Sequence, residues 1–177
     1  MIQATDLDLV GGTGSIAETD RCQVLVIGVG NILMGDEGVG IHVLRTLETE
    51  ALPPKVQLLD GGTGGINLLE SIARAPAVVM IDATRDGQPA GTVTLVRPAC
   101  VANIPLGLSA HDFGLRDLFA AAALLGQFPE IHLFTISVEE VNPMSLELSP
   151  AVAAAIPEVV NAVVALTHRL AAPAGGL

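Results

Sequence analysis

Apolar residues recur along this chain in two alternating rhythms, a short continuous run followed by a period near that of a helix. Gln23-Val-Leu-Val-Ile-Gly28 is an unbroken Val- and Ile-rich run closed by glycine, the pattern of a strand covered on both faces of a parallel sheet. Val39, Val43, Leu44 and Leu47 then fall on one side of a helix that Pro53-Pro54 ends,. The unit repeats, with Val56-Gln-Leu-Leu-Asp60 as a second strand, 66–73 as a second helix and Ala77-Val-Val-Met-Ile-Asp82 as a third strand. This alternation predicts an α/β fold with a mostly parallel sheet and right-handed crossovers.

The rhythm then changes. Thr92-Val-Thr-Leu-Val-Arg97 follows the turn-like Asp86-Gly-Gln-Pro89 with no helix between, which predicts an antiparallel strand at the sheet edge. Ser109 with Asp112 marks a helix start, 115–125 reads as a helix closed by Gly126, and 131–138 as a strand. Ser149-Pro150 opens the last helix, in which Val152, Ile156, Val159, Val163, Leu166 and Leu170 keep the period,. Pro157 should kink or restart it. Residues 1–21, polar and glycine-rich, read as a flexible leader, 22–171 as one domain and 172–177 as a frayed tail.

Composition narrows the function classes. The net charge of −11 opposes the counterion-release attraction that drives nucleic-acid binding,, and with 2 % aromatic residues the chain has little to stack on bases. Its mean hydropathy is +0.59, yet polar residues interrupt each apolar run before the ~20 residues a membrane span requires. Cys22 and Cys100 form neither a CxxC pattern nor a disulfide framework,. With no secretory signal pattern at the N-terminus, the expectation is a cytoplasmic, soluble monomer.

In an open parallel sheet, ligands bind beyond the carboxyl ends of the strands. There this chain places Gly28-Val-Gly-Asn-Ile-Leu-Met-Gly-Asp-Glu37, Asp60-Gly-Gly-Thr63 and Asp82, and a later loop brings Ser109-Ala-His111. Glu37, Asp82 and His111 can therefore converge from three crossovers. Two carboxylates and an imidazole suit a borderline divalent ion such as Ni²⁺ or Zn²⁺. Singly, Glu37 has a plainer role as an acid at a helix start and His111 as a solvated loop residue, whereas an acid at a strand's carboxyl end such as Asp82 is more often functional. His42, His132 and His168 fall within the periodic elements and read as structural. The cysteines lack an evident base.

The same residues bear on other chemistries. Gly28-x-Gly30 after a strand, with Asp60 ending the next, begins a dinucleotide fingerprint. Leu33 stands where its third glycine belongs, and Asp36-Glu37 put two negative charges where a pyrophosphate would sit,. There is no Gly-Lys-Ser/Thr of a P-loop and no Gly-x-Ser-x-Gly of a serine hydrolase,. A carboxylate dyad drawn from Glu37, Asp60 and Asp82 stays open.

Taken together, Gly28-Val-Gly-Asn-Ile-Leu-Met-Gly-Asp-Glu-Gly38, Asp60-Gly-Gly-Thr63, Val78-Val-Met-Ile-Asp-Ala83 and Ser109-Ala-His-Asp-Phe-Gly114 resemble, in order and spacing, the hydrogenase maturation endopeptidases. The resemblance implies a three-layer α/β/α sandwich and a metal site of Glu37, Asp82 and His111. It further implies one cut that removes the C-terminal extension of a nickel–iron hydrogenase large-subunit precursor after nickel insertion. Such an enzyme is aspartic-type or metal-dependent, with Asp82, Glu37 and Asp60 as its catalytic candidates. No preformed ligand cluster such as His-Glu-x-x-His is present, so the expected nickel is the substrate's own, with Zn²⁺ or Cd²⁺ able to substitute in vitro. A non-enzymatic nickel chaperone would use the same ligands. Val138-Glu-Glu140 departs from the Pro-Glu-small sequence of many relatives, with one residue apparently inserted before Leu148-Ser-Pro150.

Overall fold

The computed structural model describes residues 22–63, 65–99, 115–124, 126, 129–139 and 144–172. The expected leader, the helix start at Ser109, Cys100 and His111 lie outside the described residues. The elements run β1 (Val24–Gly28), α1 (Val39–Leu47), β2 (Val56–Asp60), α2 (Leu69–Arg74), β3 (Ala77–Thr84), β4 (Val93–Val96), α3 (Leu115–Leu124), β5 (Glu130–Ser137) and α4 (Pro150–Ala171). Short 3-10 helices at Gly35–Gly38 and Ile66–Leu68 lead into α1 and α2.

The sheet order is β2-β1-β3-β5-β4, parallel except for β4, which pairs antiparallel with β5 at the edge. Side-chain alternation divides the core in two. On one face Val24, Val26, Val79 and Ile81 pack with Val39 and Val43 of α1 and with Val159 and Val163 of α4. On the other, Leu25, Ile27, Val78 and Met80 meet Ile72 of α2 and Leu118 and Phe119 of α3. Helices on both faces of a mostly parallel sheet make the three-layer sandwich, and each fully buried Val or Leu contributes about 1.5–3 kcal/mol.

Three details differ from the sequence reading. First, β3 runs two residues past Asp82, so this carboxylate projects from within a strand instead of ending one. Second, α4 continues through Pro157 without a break. Pro157 and Ala153, four residues earlier, are both exposed, so the carbonyl that loses its helical donor faces water. Third, α4 has the length and apolar composition to cross a membrane. The sequence reading allowed no such segment, but Val152, Val159, Val163 and Leu166 of this helix are buried in the core. At its start the Ser149 hydroxyl accepts the Val152 amide at 3.5 Å, the expected N-cap.

Candidate functional site

The first loop leaves β1 at Gly28 and folds back before α1 begins. Glycine is what lets it close. A Cβ on Gly30, whose φ is +142°, would stand 1.9 Å from the Glu37 carbonyl oxygen, and one on Gly40 would stand 2.2 Å from that of Val29 and 2.4 Å from that of Ile81. Backbone is therefore packed on backbone, and the 3-10 helix carrying Glu37 is pressed against β3.

Glu37 is 2 % exposed and Asp82 fully buried. Carboxylates are rarely buried without partners that stabilise their charge. Arg85 supplies one for Glu37, its Nη2 standing 4.0 Å from Glu37 Oε1 with the arginine side chain largely exposed. Beside them an open cleft of ≈490 Å³ is lined by Arg85, Gly87, Gln88, Pro89, Val138 and Glu139.

Asp82 pairs in register with Thr135 of β5, and Thr84 with Ser137. All four are buried, and alternation from Met80 and Leu133 places them on the face that carries α2 and α3,. A polar group thus replaces apolar packing where β3 and β5 end. Sequence reasoning missed Thr135 and Ser137. Their signal was two hydroxyls, two residues apart, at the carboxyl end of the strand.

Asp36 also has a role the sequence reading did not assign. It is 5 % exposed and its Oδ1 accepts the Ser149 amide at 2.6 Å, tying the Glu37 loop to the start of α4. An acid at a helix N-terminus is electrostatically favoured.

Asp60 is held apart from these groups. It ends β2, is exposed, and its Oδ1 accepts the Gly62 amide at 2.8 Å in an Asx turn,. β1 lies between β2 and β3, so two interstrand spacings put Asp60 about 10 Å from the Asp82 strand. Asp60 is in register with Gly28 and Ile81, on the sheet face opposite to Asp82. A proton-sharing dyad needs carboxylates about 3 Å apart, so the register excludes an Asp60–Asp82 dyad and gives Asp60 the turn.

The remaining titratable groups lie elsewhere. Burial pushes the half-buried Cys22 thiol up, away from nucleophilic character,. Burial, then the charge of Arg45, pushes His42 down. His132 is buried on β5 with Nε2 2.8 Å from Glu130 Oε1, and His168 is exposed near the end of α4. Among the described residues no three His, Cys, Asp or Glu side chains gather to hold an ion alone. His111, the third expected ligand, lies outside them.

The fold and site define an α/β/α protein with two buried acids at the carboxyl edge of its sheet. The model of the hydrogenase maturation protease family matches residues 41–166, a stretch that includes Asp60, Asp82 and His111 and begins just after Glu37. The chain is 36 % identical over 153 residues to the hydrogenase 2 maturation protease of Escherichia coli K12, covering 81 % of this chain and 89 % of that one. It is 39 % identical to the hydrogenase expression/formation proteins HupD of Thiocapsa roseopersicina and Rhodobacter capsulatus, over 68 % and 76 % of its own length. It spans only 55 % and 66 % of theirs. Among solved structures, the hydrogenase maturating endopeptidase HybD from E. coli matches with a TM-score of 0.77 at 33 % identity, covering 84 % of this chain and 94 % of that one. A hydrogenase 2 maturation peptidase from a Thaumarchaeota archaeon matches at 0.63 and 32 %, covering 81 % and 97 %. The chain belongs to the hydrogenase maturation protease family.

Proposed function

We propose that this protein is an endopeptidase, working as a cytoplasmic monomer, that removes the C-terminal extension of a nickel–iron hydrogenase large-subunit precursor after nickel insertion. Glu37 and Asp82, with His111, meet the nickel that the substrate carries. The observation that carries this reading is the burial of Glu37 in a loop closed over β3, the strand from which Asp82 projects. Two acids kept from water at one sheet edge suit a cation or a proton in transit.

A nickel ion already held by the precursor would take open positions in its shell from these side chains, fixing the scissile peptide in register. Polarised in this way, the peptide carbonyl accepts the oxygen of a water molecule whose proton passes to a carboxylate such as Asp82. The C–N bond then breaks and the amine leaves with that proton. Precursor without nickel lacks this contact, so selectivity follows from one missing ion. The cleft lined by Arg85, Val138 and Glu139 gives an extended segment room beside the acids. The Glu139 region, where the sequence departs from many relatives, belongs to that wall.

The test is mass spectrometry of nickel-loaded and nickel-free precursor after mixing with the protein, alongside elemental analysis of the protein alone. Cleavage of the loaded form only, with no stoichiometric metal in the purified protein, is the expected result. Nickel transfer without a mass change would identify a chaperone, and equal cleavage of both forms by a tightly metallated protein would identify an ordinary metallopeptidase.

A further inference from the structure

Five large apolar side chains stand exposed among the described residues: Leu33, Leu95, Leu124, Met144 and Leu146. Three of the five sit on two loops that the backbone ties together. Met34 forms a parallel bridge with Ser145, and the Gly35 amide donates to the Ser145 carbonyl at 2.8 Å. Leu33 is one residue from the bridge on the first loop, and Met144 and Leu146 flank it on the second.

Both loops are braced. The Leu33 amide donates to Asn31 Oδ1 at 3.0 Å, Ser145 Oγ accepts the Glu147 amide at 3.2 Å, and Asp36 takes the Ser149 amide. On this frame Leu33 is 53 %, Leu146 60 % and Met144 90 % exposed. A single exposed apolar residue needs no explanation, but a group on a rigid support marks a contact surface. Glu37 follows on the same loop, two residues beyond Gly35.

We infer that Leu33, Met144 and Leu146 form a docking platform for an apolar patch on the folded body of the precursor, while its C-terminal segment reaches Glu37 and Asp82. This rests on the function proposed above. Continuity with the site names the occupant, because Leu33 and Glu37 belong to one braced loop, four residues apart. A second copy of this chain is a poorer occupant, since each carries a net charge of −11 and two copies repel,. Braced loops lose little freedom on binding, unbranched methionine adapts its shape to a partner, and buried apolar anchors dominate interface energy.

The test is the double variant Met144→Asn, Leu146→Ser, compared with Leu124→Ser as an exposed apolar control at the far end of α3. Asparagine tolerates the positive φ of 65° at position 144,, and thermal melts establish that each variant is folded. With nickel-loaded precursor, the double variant is expected to raise KM about tenfold while kcat at saturation stays within about twofold, and the control to change neither. Calorimetric titration of precursor into Glu37→Gln, whose cleavage is expected to be slowed about a hundredfold or more, with and without the double substitution, should show the same tenfold loss of affinity. Unchanged KM and affinity would overturn the platform and leave the proposed activity standing. A wild-type protein that neither cleaves nor binds loaded precursor would remove both. Sedimentation showing a wild-type dimer that the double variant abolishes would assign the surface to self-association and overturn the inference.

Discussion

The Arg85 guanidinium stands 4.0 Å from the Glu37 carboxylate, and the two differ sharply in setting: the Arg85 side chain is 60 % exposed and the Glu37 side chain 2 %. The ion pair therefore straddles the boundary between the closed loop and the cleft. In the free protein Arg85 competes with any cation for Glu37. An ion pair with one exposed partner is worth about 1 kcal/mol, so Arg85→Gln should tighten binding of free Ni²⁺ by about fivefold. Arg85→Lys should bind as the parent does. Calorimetric titration at low and moderate salt checks both, and the difference should shrink as salt screens the pair.

Glu37→Gln, Asp82→Asn and His111→Ala should each lower processing of nickel-loaded precursor by about a hundredfold or more, the range lost with a general base or a substrate-positioning group. The first two are near-isosteric and should keep their circular dichroism spectra. Asp60→Asn should cost less, because its carboxylate closes a turn with Gly62. A loss equal to that of Asp82→Asn would return the dyad mechanism to consideration.

Gly30→Ala tests how the loop is built. The added Cβ would meet the Glu37 carbonyl at 1.9 Å with φ at +142°, so the loop must open. A loss of about 3 kcal/mol in urea denaturation is expected, together with loss of cleavage.

Asp36→Ala should leave the Ser149 amide without its acceptor and cost about 1.5–3 kcal/mol, the range for a hydrogen bond to a charged group,. Asp36→Asn keeps an oxygen in place and should recover part of it. Denaturation midpoints at pH 7 distinguish the two.

The pH dependence of stability should carry a signature of His42. Burial and Arg45 push its pKa below 6.5 in the folded state, and its buried Nε2 has no hydrogen-bond partner among the described residues. The unfolded chain therefore binds the proton first as pH falls. Stability from this group is whole above about pH 6.5, declines below it, and levels off beneath the folded-state pKa. His42→Gln should flatten that part of a denaturation series between pH 5 and pH 7.5.

The amino-acid sequence by itself determined the alternation of strands and helices, because runs such as 24–28 and 77–81 are short, apolar on both faces and rich in β-branched residues, as the inside of a parallel sheet requires,. It also placed Glu37, Asp60 and Asp82 toward one edge, since chain direction in such a sheet sends every strand's carboxyl end the same way. Local pattern could not tell which acids stay apart. Sheet order and register decided that, setting Asp60 two strands from Asp82 and on the opposite face, and matching Asp82 with Thr135, 53 residues later in the chain. The same holds for Asp36 with Ser149 and for Glu37 with Arg85. Each is a contact between residues far apart in the chain, created by packing the Gly30 loop against β3 and α4, and no periodicity read along a single segment encodes it.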